Sequence, residues 1–231
     1  GIETLVTNDP RQEGLLGVIS GAAVAVRNGY VTWVGRERTL PARYRELREI
    51  GCEGRMVVPG FVDAHRHLPA TSGAGFAEYV EAVSVQLGRL LEQGATTVEM
   101  RTWGGPDPET EVTMASAIGA AADTLPCDVS VAVSVGMEPP MRGAGYRSMV
   151  ESLVLPTVST VAGYLDVVPG GVLADEDSIR LVAAARRLGM RPRVHVDGVD
   201  SLTLALDLRA ASGDGMWRLD GAAASVADAA A

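Results

Sequence analysis

The chain has 231 residues, 47% hydrophobic and 21% charged, with a formal net charge of −9; its basic residues are arginines, and lysine is absent. An acidic chain with no basic run is a poor match for nucleic acid or an anionic membrane surface, and no apolar run approaches the ~18–20 residues of a membrane-spanning helix. A globular, cytoplasmic protein without a signal peptide is expected, with Cys52 and Cys127 as free thiols, because neither belongs to a paired-cysteine motif.

Residues 1–56 read as a small β-rich subdomain. Ala22–Val34 is two alternating runs joined by Arg27-Asn28-Gly29, and Asn-Gly between β-rich runs is a hairpin signal because both residues tolerate positive φ. Glu49–Val58 reads as a further strand interrupted by Gly51 and Gly54. Val57–Val62 is apolar apart from Pro59 and Gly60, and reads as a buried strand entered through a Pro-Gly bend. It ends in Asp63-Ala64-His65-Arg66-His67, which holds two of the chain's three histidines. Residues i and i+2 of a strand face the same way, so His65 and His67 project side by side and Arg66 points away. Two neutral imidazoles so placed can close on one metal ion, with nitrogen–zinc distances of ~2.0–2.1 Å. The alternative is a pair of strand-end histidines bonded to loop carbonyls.

From there strands and helices alternate. The pattern predicts a helix over Phe76–Gln93 stopped at Gly94, a strand Ala95–Arg101, a loop at Trp103–Pro106 and a helix Pro108–Thr124. Then come a strand Asp128–Val135, a helix Tyr146–Gly163 broken at Pro156, a strand Tyr164–Val168 and a helix Asp175–Leu188 stopped by Gly189. A strand Arg193–Val196 and a helix Ser201–Ala211 follow, with a sixth strand only weakly marked. The Ala-rich residues Gly221–Ala231 read as a terminal helix or a frayed tail. Repeated units of this size imply a parallel sheet with right-handed crossovers, and in a (β/α) barrel the chemistry sits at the carboxyl ends of the strands. The third histidine, His195, lies on the fifth strand of the series. It is either a core histidine or a third ligand, and three imidazoles with a water or carboxylate make a sufficient catalytic set.

The stretch Val57-Val58-Pro59-Gly60-Phe61-Val62-Asp63-Ala64-His65-Arg66-His67 resembles the first barrel strand of the amidohydrolase superfamily of metal-dependent hydrolases. The runs GAAVAVRNGYVTWVGRE and GRMVVPGFVDAHRH resemble the amino-terminal part of imidazolonepropionases in particular. Gly94-Ala95-Thr96-Thr97-Val98-Glu99 matches a Gly-x-Thr-Thr-x-Glu motif of that family, and Val194-His195-Val196-Asp197 matches the context of its fifth-strand metal-binding His. The resemblance runs from about Leu15 to Asp214. It implies an α/β chain, with a β-rich subdomain at residues 1–56 and a TIM-like (β/α) barrel domain at 57–231 that is incomplete or remodelled and lacks the last strands.

Departures fall where substrate chemistry belongs. The family's Arg seven residues beyond the second His of the pair is Ala74, and its Lys-Ser-Gly-Tyr-Gly loop reads Arg101-Thr102-Trp103-Gly104-Gly105. A substrate-binding His is replaced around Met137, and the acid three residues beyond the fifth-strand His is Gly198. The sixth-strand Asp-His-Leu has become Asp214-Gly215-Met216. The segment Thr71–Gly75 is shortened, and the chain stops before the strand that would carry the family's metal-binding Asp.

The expected function is a metal-dependent hydrolase acting on a cyclic amide or related C–N bond of a small molecule, without efficient imidazolonepropionase activity. The alternative is a catalytically lapsed homologue that serves in binding or assembly. The expected ligands of a divalent metal, zinc with iron as the alternative, are His65, His67 and His195. Asp197 or Glu99 would move protons, and Arg101 and Trp103 would contact substrate. Asp63 and Asp197 are candidates to orient His65 and His195, and Asp166 is ambiguous. The loop Glu138–Gly143 reads as a lid or a connector. A sheet cut before closure would leave an apolar edge, so a homo-oligomer or a partner chain completing the barrel is expected.

Overall fold

The computed structural model of the chain describes residues 1–12, 14–68, 74–104, 108–136, 143–170 and 173–215. The sequence features around Thr71, Met137 and Glu138, at Met216 and in the Ala-rich tail lie outside the described residues. Two compact units form, Gly1–Gly60 and Phe61–Ala231.

The first unit is a four-stranded sheet ordered β3-β2-β1-β4, from β1 (Ile2–Val6), β2 (Val18–Arg27), β3 (Tyr30–Arg36) and β4 (Met56–Val57). The Asn-Gly turn is as expected: Arg27 pairs with Tyr30, and Asn28 and Gly29 take φ of 52° and 79°. β1 has no counterpart in the sequence reading; it pairs antiparallel with β2 and parallel with β4. The expected strand at Glu49–Val58 shrinks to Met56–Val57 because Glu53 and Gly54 both turn left-handed, at φ 51° and 73°. Val57 and Phe61 thus belong to different sheets. Proline has no N–H to give to a ladder, so Pro59-Gly60 separates two strands instead of bending one.

The second unit is a parallel six-stranded sheet in unbroken chain order: β5 (Phe61–His67), β6 (Ala95–Arg101), β7 (Asp128–Val135), β8 (Tyr164–Val167), β9 (Arg191–His195) and β10 (Ser212–Asp214). The weakly marked sixth strand therefore exists. Helices α1 (Phe76–Glu92), α2 (Pro108–Ala122), α3 (Gly143–Met149), α4 (Leu155–Val158), α5 (Asp175–Arg187) and α6 (Val199–Asp207) lie between the strands. The single helix expected over Tyr146–Gly163 is instead α3, a π-turn at Val150–Val154, and α4. Pro156 lies in the first turn of α4, and the widened turn ahead of it absorbs its missing N–H.

Strand alternation divides this sheet into two faces. Val98, Met100, Val133, Val135, Leu165 and Val194 are buried and join the helices' apolar sides, such as Val83 and Leu87 of α1 and Ile118 of α2, in one core. The residues between them in sequence, Glu99, Arg101, Ser134, Asp166 and Arg193, occupy the opposite face. That face is polar and largely closed to solvent: Arg101 is 0% exposed, Asp166 1% and Glu99 5%. This arrangement is a half-barrel, with α/β units wrapped around a charged interior.

Candidate active site

The imidazoles sit at the carboxyl ends of their strands. His65 and His67 turn their rings towards one point, with Nε2 atoms 3.1 Å apart and ring centroids 4.9 Å apart. His67 Nδ1 lies 3.3 Å from the Thr102 carbonyl oxygen. A carbonyl only accepts, so Nδ1 carries the His67 proton and Nε2 offers a lone pair. His65 Nδ1 faces Asp214 Oδ1 at 4.0 Å. The His195 ring stands farther off, 6.4 Å from His65 between centroids. Trp103, 39% exposed, meets His67 edge-on at 5.4 Å.

Below the imidazoles lies an ionic cluster. The Arg101 guanidinium contacts Asp166 at 2.8 Å and Asp214 at 2.7 Å, and donates a short hydrogen bond to Glu99. Arg193 pairs closely with the other oxygen of Glu99, donates to Ser212 Oγ at 2.8 Å and stacks 4.1 Å over the Tyr164 ring, whose companion cation Arg191 lies at 4.4 Å. Burial works against the charge on Arg101, but Asp166, Asp214 and Glu99 outweigh it and hold the guanidinium above its ordinary range. Burial pushes the Glu99 carboxyl up, with Arg101 and Arg193 offsetting only part of the rise. Burial, followed by the charge of Arg101, also holds His65 below the usual imidazole range; burial lowers His67 too, opposed by the Thr102 carbonyl. Both rings are therefore neutral near pH 7, the form that binds a metal.

Two nitrogens bound to one zinc ion at ~2.0–2.1 Å stand about 2.9–3.4 Å apart, so the His65–His67 pair fits a divalent ion. The same separation also fits an N–H···N hydrogen bond in the metal-free chain. Gly215 supports the fit at His195: a Cβ there would stand 2.8 Å from His195 Nε2, and the residue's φ of +80° favours glycine. The backbone thus leaves the third imidazole clear. Among the described residues, however, no group of three or more His, Cys, Asp or Glu side chains is placed to hold an ion, since His195 stands back from the other two.

The other sequence candidates separate. Asp63 does not face the His65 ring: it accepts from the His65 backbone N–H at 3.3 Å and holds Arg66 at 2.8 Å. Asp197 lies beyond the end of β9, where alternation no longer aims it inward, and accepts from Ser201 Oγ at 3.0 Å at the start of α6. Glu99 and Arg101 are neighbours in the buried cluster, with Trp103 beside His67. The sequence does not single out Arg193, and it marks Asp214 only as the remnant of a sixth-strand motif, with no role in the site. A three-residue strand after a Gly-free helix end gives no pattern, and only the register of Asp214 opposite His195 brings it to the imidazoles.

No family model matches the chain. It is 30% identical over 265 residues to imidazolonepropionase of Myxococcus xanthus (strain DK1622), covering 95% of this chain and 63% of that protein. It is 32% identical over 254 residues to that of Rhodococcus jostii (strain RHA1), covering 93% and 60%. The chain thus spans about three fifths of the length of the curated relatives it matches. Its fold is similar to that of ochratoxinase from A. niger, with a TM-score of 0.64 at 16% identity, over 97% of this chain and 62% of that one. Sequence likeness, half-barrel and paired strand-end imidazoles agree: the chain is imidazolonepropionase-like in sequence and shares its fold with amidohydrolase structures.

Proposed function

We propose that this chain is the metal-binding part of a hydrolase acting on a cyclic amide or related C–N bond, with His65, His67 and His195 as ligands. The observation that carries this reading is the convergence of His65 and His67 Nε2 at 3.1 Å at the carboxyl end of β5. A bound divalent ion, zinc before iron on the all-imidazole donor set, supplies a polarising Lewis acid and lowers the pKa of water towards ~7. The chain's own residues do the rest. The Thr102 carbonyl fixes the His67 ring, and Trp103 forms an apolar wall against which a flat ring can rest. Asp197, exposed two residues past β9, would exchange a proton with solvent. Glu99 acts from below through Arg101. Ala74 and Gly198 stand where the family has a charged residue, so the substrate is not imidazolonepropionate.

Among the described residues the sheet ends at β5 and β10, and on β5 Phe61 and Val62 are 60% and 65% exposed. This edge supports association with a second copy or with a chain that continues the sheet.

Elemental analysis of protein purified without chelator tests the reading. About one equivalent of zinc or iron per chain, lost on substitution of His67 by Ala, is expected; metal at background overturns it. One observation favours a lapsed, binding-only homologue: Arg101, engaged by three carboxylates, presents no free guanidinium to a substrate. Metal at full occupancy without hydrolysis of five- and six-membered cyclic amides would select that second reading.

A further inference from the structure

We propose that Asp214 is a positioning residue for the imidazole pair: its carboxylate, anchored by Arg101, draws the His65 proton to Nδ1 and so aims the Nε2 lone pair at the point that His67 Nε2 also faces. The inference rests on the metal-site reading and extends it to a residue outside the ligand set.

The argument is geometric. His65 Nε2 already faces His67 Nε2 at 3.1 Å, and the Thr102 carbonyl fixes the His67 proton on Nδ1. The remaining variable is the proton of His65. On Nε2, it would form an N–H···N bond to His67 and occupy the space where an ion belongs. On Nδ1, it would face Asp214 Oδ1, 4.0 Å away. A carboxylate opposite a ring nitrogen favours a proton there, and such partners behind metal-binding histidines fix both tautomer and orientation. Asp214 itself has little freedom. Its Oδ2 accepts from Arg101 Nη2 at 2.7 Å and lies 3.5 Å from Ser212 Oγ, which leaves Oδ1 towards the imidazole. Arg101 is in turn held by Glu99, which shares its Nη2, and by Asp166 at Nη1. The carboxylate that sequence pattern offers for this task, Asp63, is spent on Arg66 and the His65 backbone.

Nitrogen-15 NMR of the imidazoles, recorded above their titration range, tests this with and without zinc. In the metal-free protein His65 should carry a larger share of its proton on Nδ1 in the wild type than in Asp214→Asn. Asp166→Asn, which removes a different carboxylate from Arg101, should match the wild type. Zinc affinity, by competition with a chromophoric chelator, should fall roughly 10–100-fold in Asp214→Asn. An unchanged His65 tautomer population in Asp214→Asn overturns the inference, as does an equal shift in Asp166→Asn. If the wild type takes up no zinc, the proposed function fails while the tautomer comparison still decides the role of Asp214. Should Asp214→Asn fail to fold, the wild type alone decides: a His65 proton wholly on Nε2 without metal, and no Nδ1–H hydrogen-bond signature with it, overturns the inference.

Discussion

Replacing Arg101 by Met tests whether the buried guanidinium organises the interior. Counting Glu99, Asp166 and Asp214 against Arg101 and Arg193, with the imidazoles neutral, the cluster carries −3 + 2 = −1, and the substitution takes it to −2. The contacts at 2.8 and 2.7 Å each represent about 6 kcal/mol of attraction at an effective dielectric of ~20. The whole of that is not lost, because a stranded carboxylate can take up a proton instead. At pH 7 protonation costs ~1.4 kcal/mol for each unit above the ordinary carboxyl value near ~4, or about 4 kcal/mol. At pH 5 the same step costs about 1.5 kcal/mol. The folded variant then binds a proton that its unfolded chain does not, so its stability declines as pH rises. Glu99 of the wild type, raised by burial, has the same sign with a smaller slope, because Arg101 opposes the rise. Urea unfolding followed by circular dichroism at pH 5, 6 and 7 should show a deficit near 4 kcal/mol at pH 7 that shrinks to roughly 1.5 kcal/mol at pH 5. A deficit below about 1 kcal/mol at pH 7, or one that ignores pH, would refute the reasoning.

Three further outcomes are expected. Gly215→Ala places a methyl group 2.8 Å from His195 Nε2 at a φ of +80°; it should destabilise the chain by about 1–3 kcal/mol and weaken zinc binding, both readable in one thermal-shift titration. Leu87→Ala empties a fully buried position between α1 and the sheet and should cost about 2–5 kcal/mol in denaturant unfolding. Burial pushes Tyr146 up to about 12, with the Gly136 N–H donating to its hydroxyl at 3.2 Å. Its stabilising contribution is therefore whole below pH ~10 and is lost as pH rises towards 12, and replacement by Phe should flatten alkaline unfolding over that window.

Much of the framework was legible because local chemistry dictates it. The Asn28-Gly29 turn, the helix stops at Gly94 and Gly189, and the His65-x-His67 pair each depend on neighbours a few residues away. The interior was not legible for the opposite reason. The sequence offers Glu99 and Arg101 as site residues, but not Asp166 and Asp214 as the partners that close around Arg101, because later strands bring those in. Asp197 shows the same limit from the other direction: its spacing from His195 aims it inward only while the strand continues, and β9 ends at His195. The strand Ile2–Val6 is bounded by a turn signal at Asn8-Asp9-Pro10, but so short a run does not read as a strand without β2 and β4, which come later and pair with it.

The bond between Arg101 and Asp214 joins residues 113 apart in the chain. At ~5–20 residues per second, a ribosome needs roughly 6–20 s to pass from one to the other. Through that interval the nascent sheet holds a cation whose final counter-charge has not yet been made, with Glu99 at hand from the start and Asp166 arriving midway. β10 is only three residues long and contributes little pairing of its own. Its arrival instead brings the third carboxylate to Arg101, so the ion pair, more than the hydrogen bonding of a three-residue strand, fixes β10 against the sheet during synthesis.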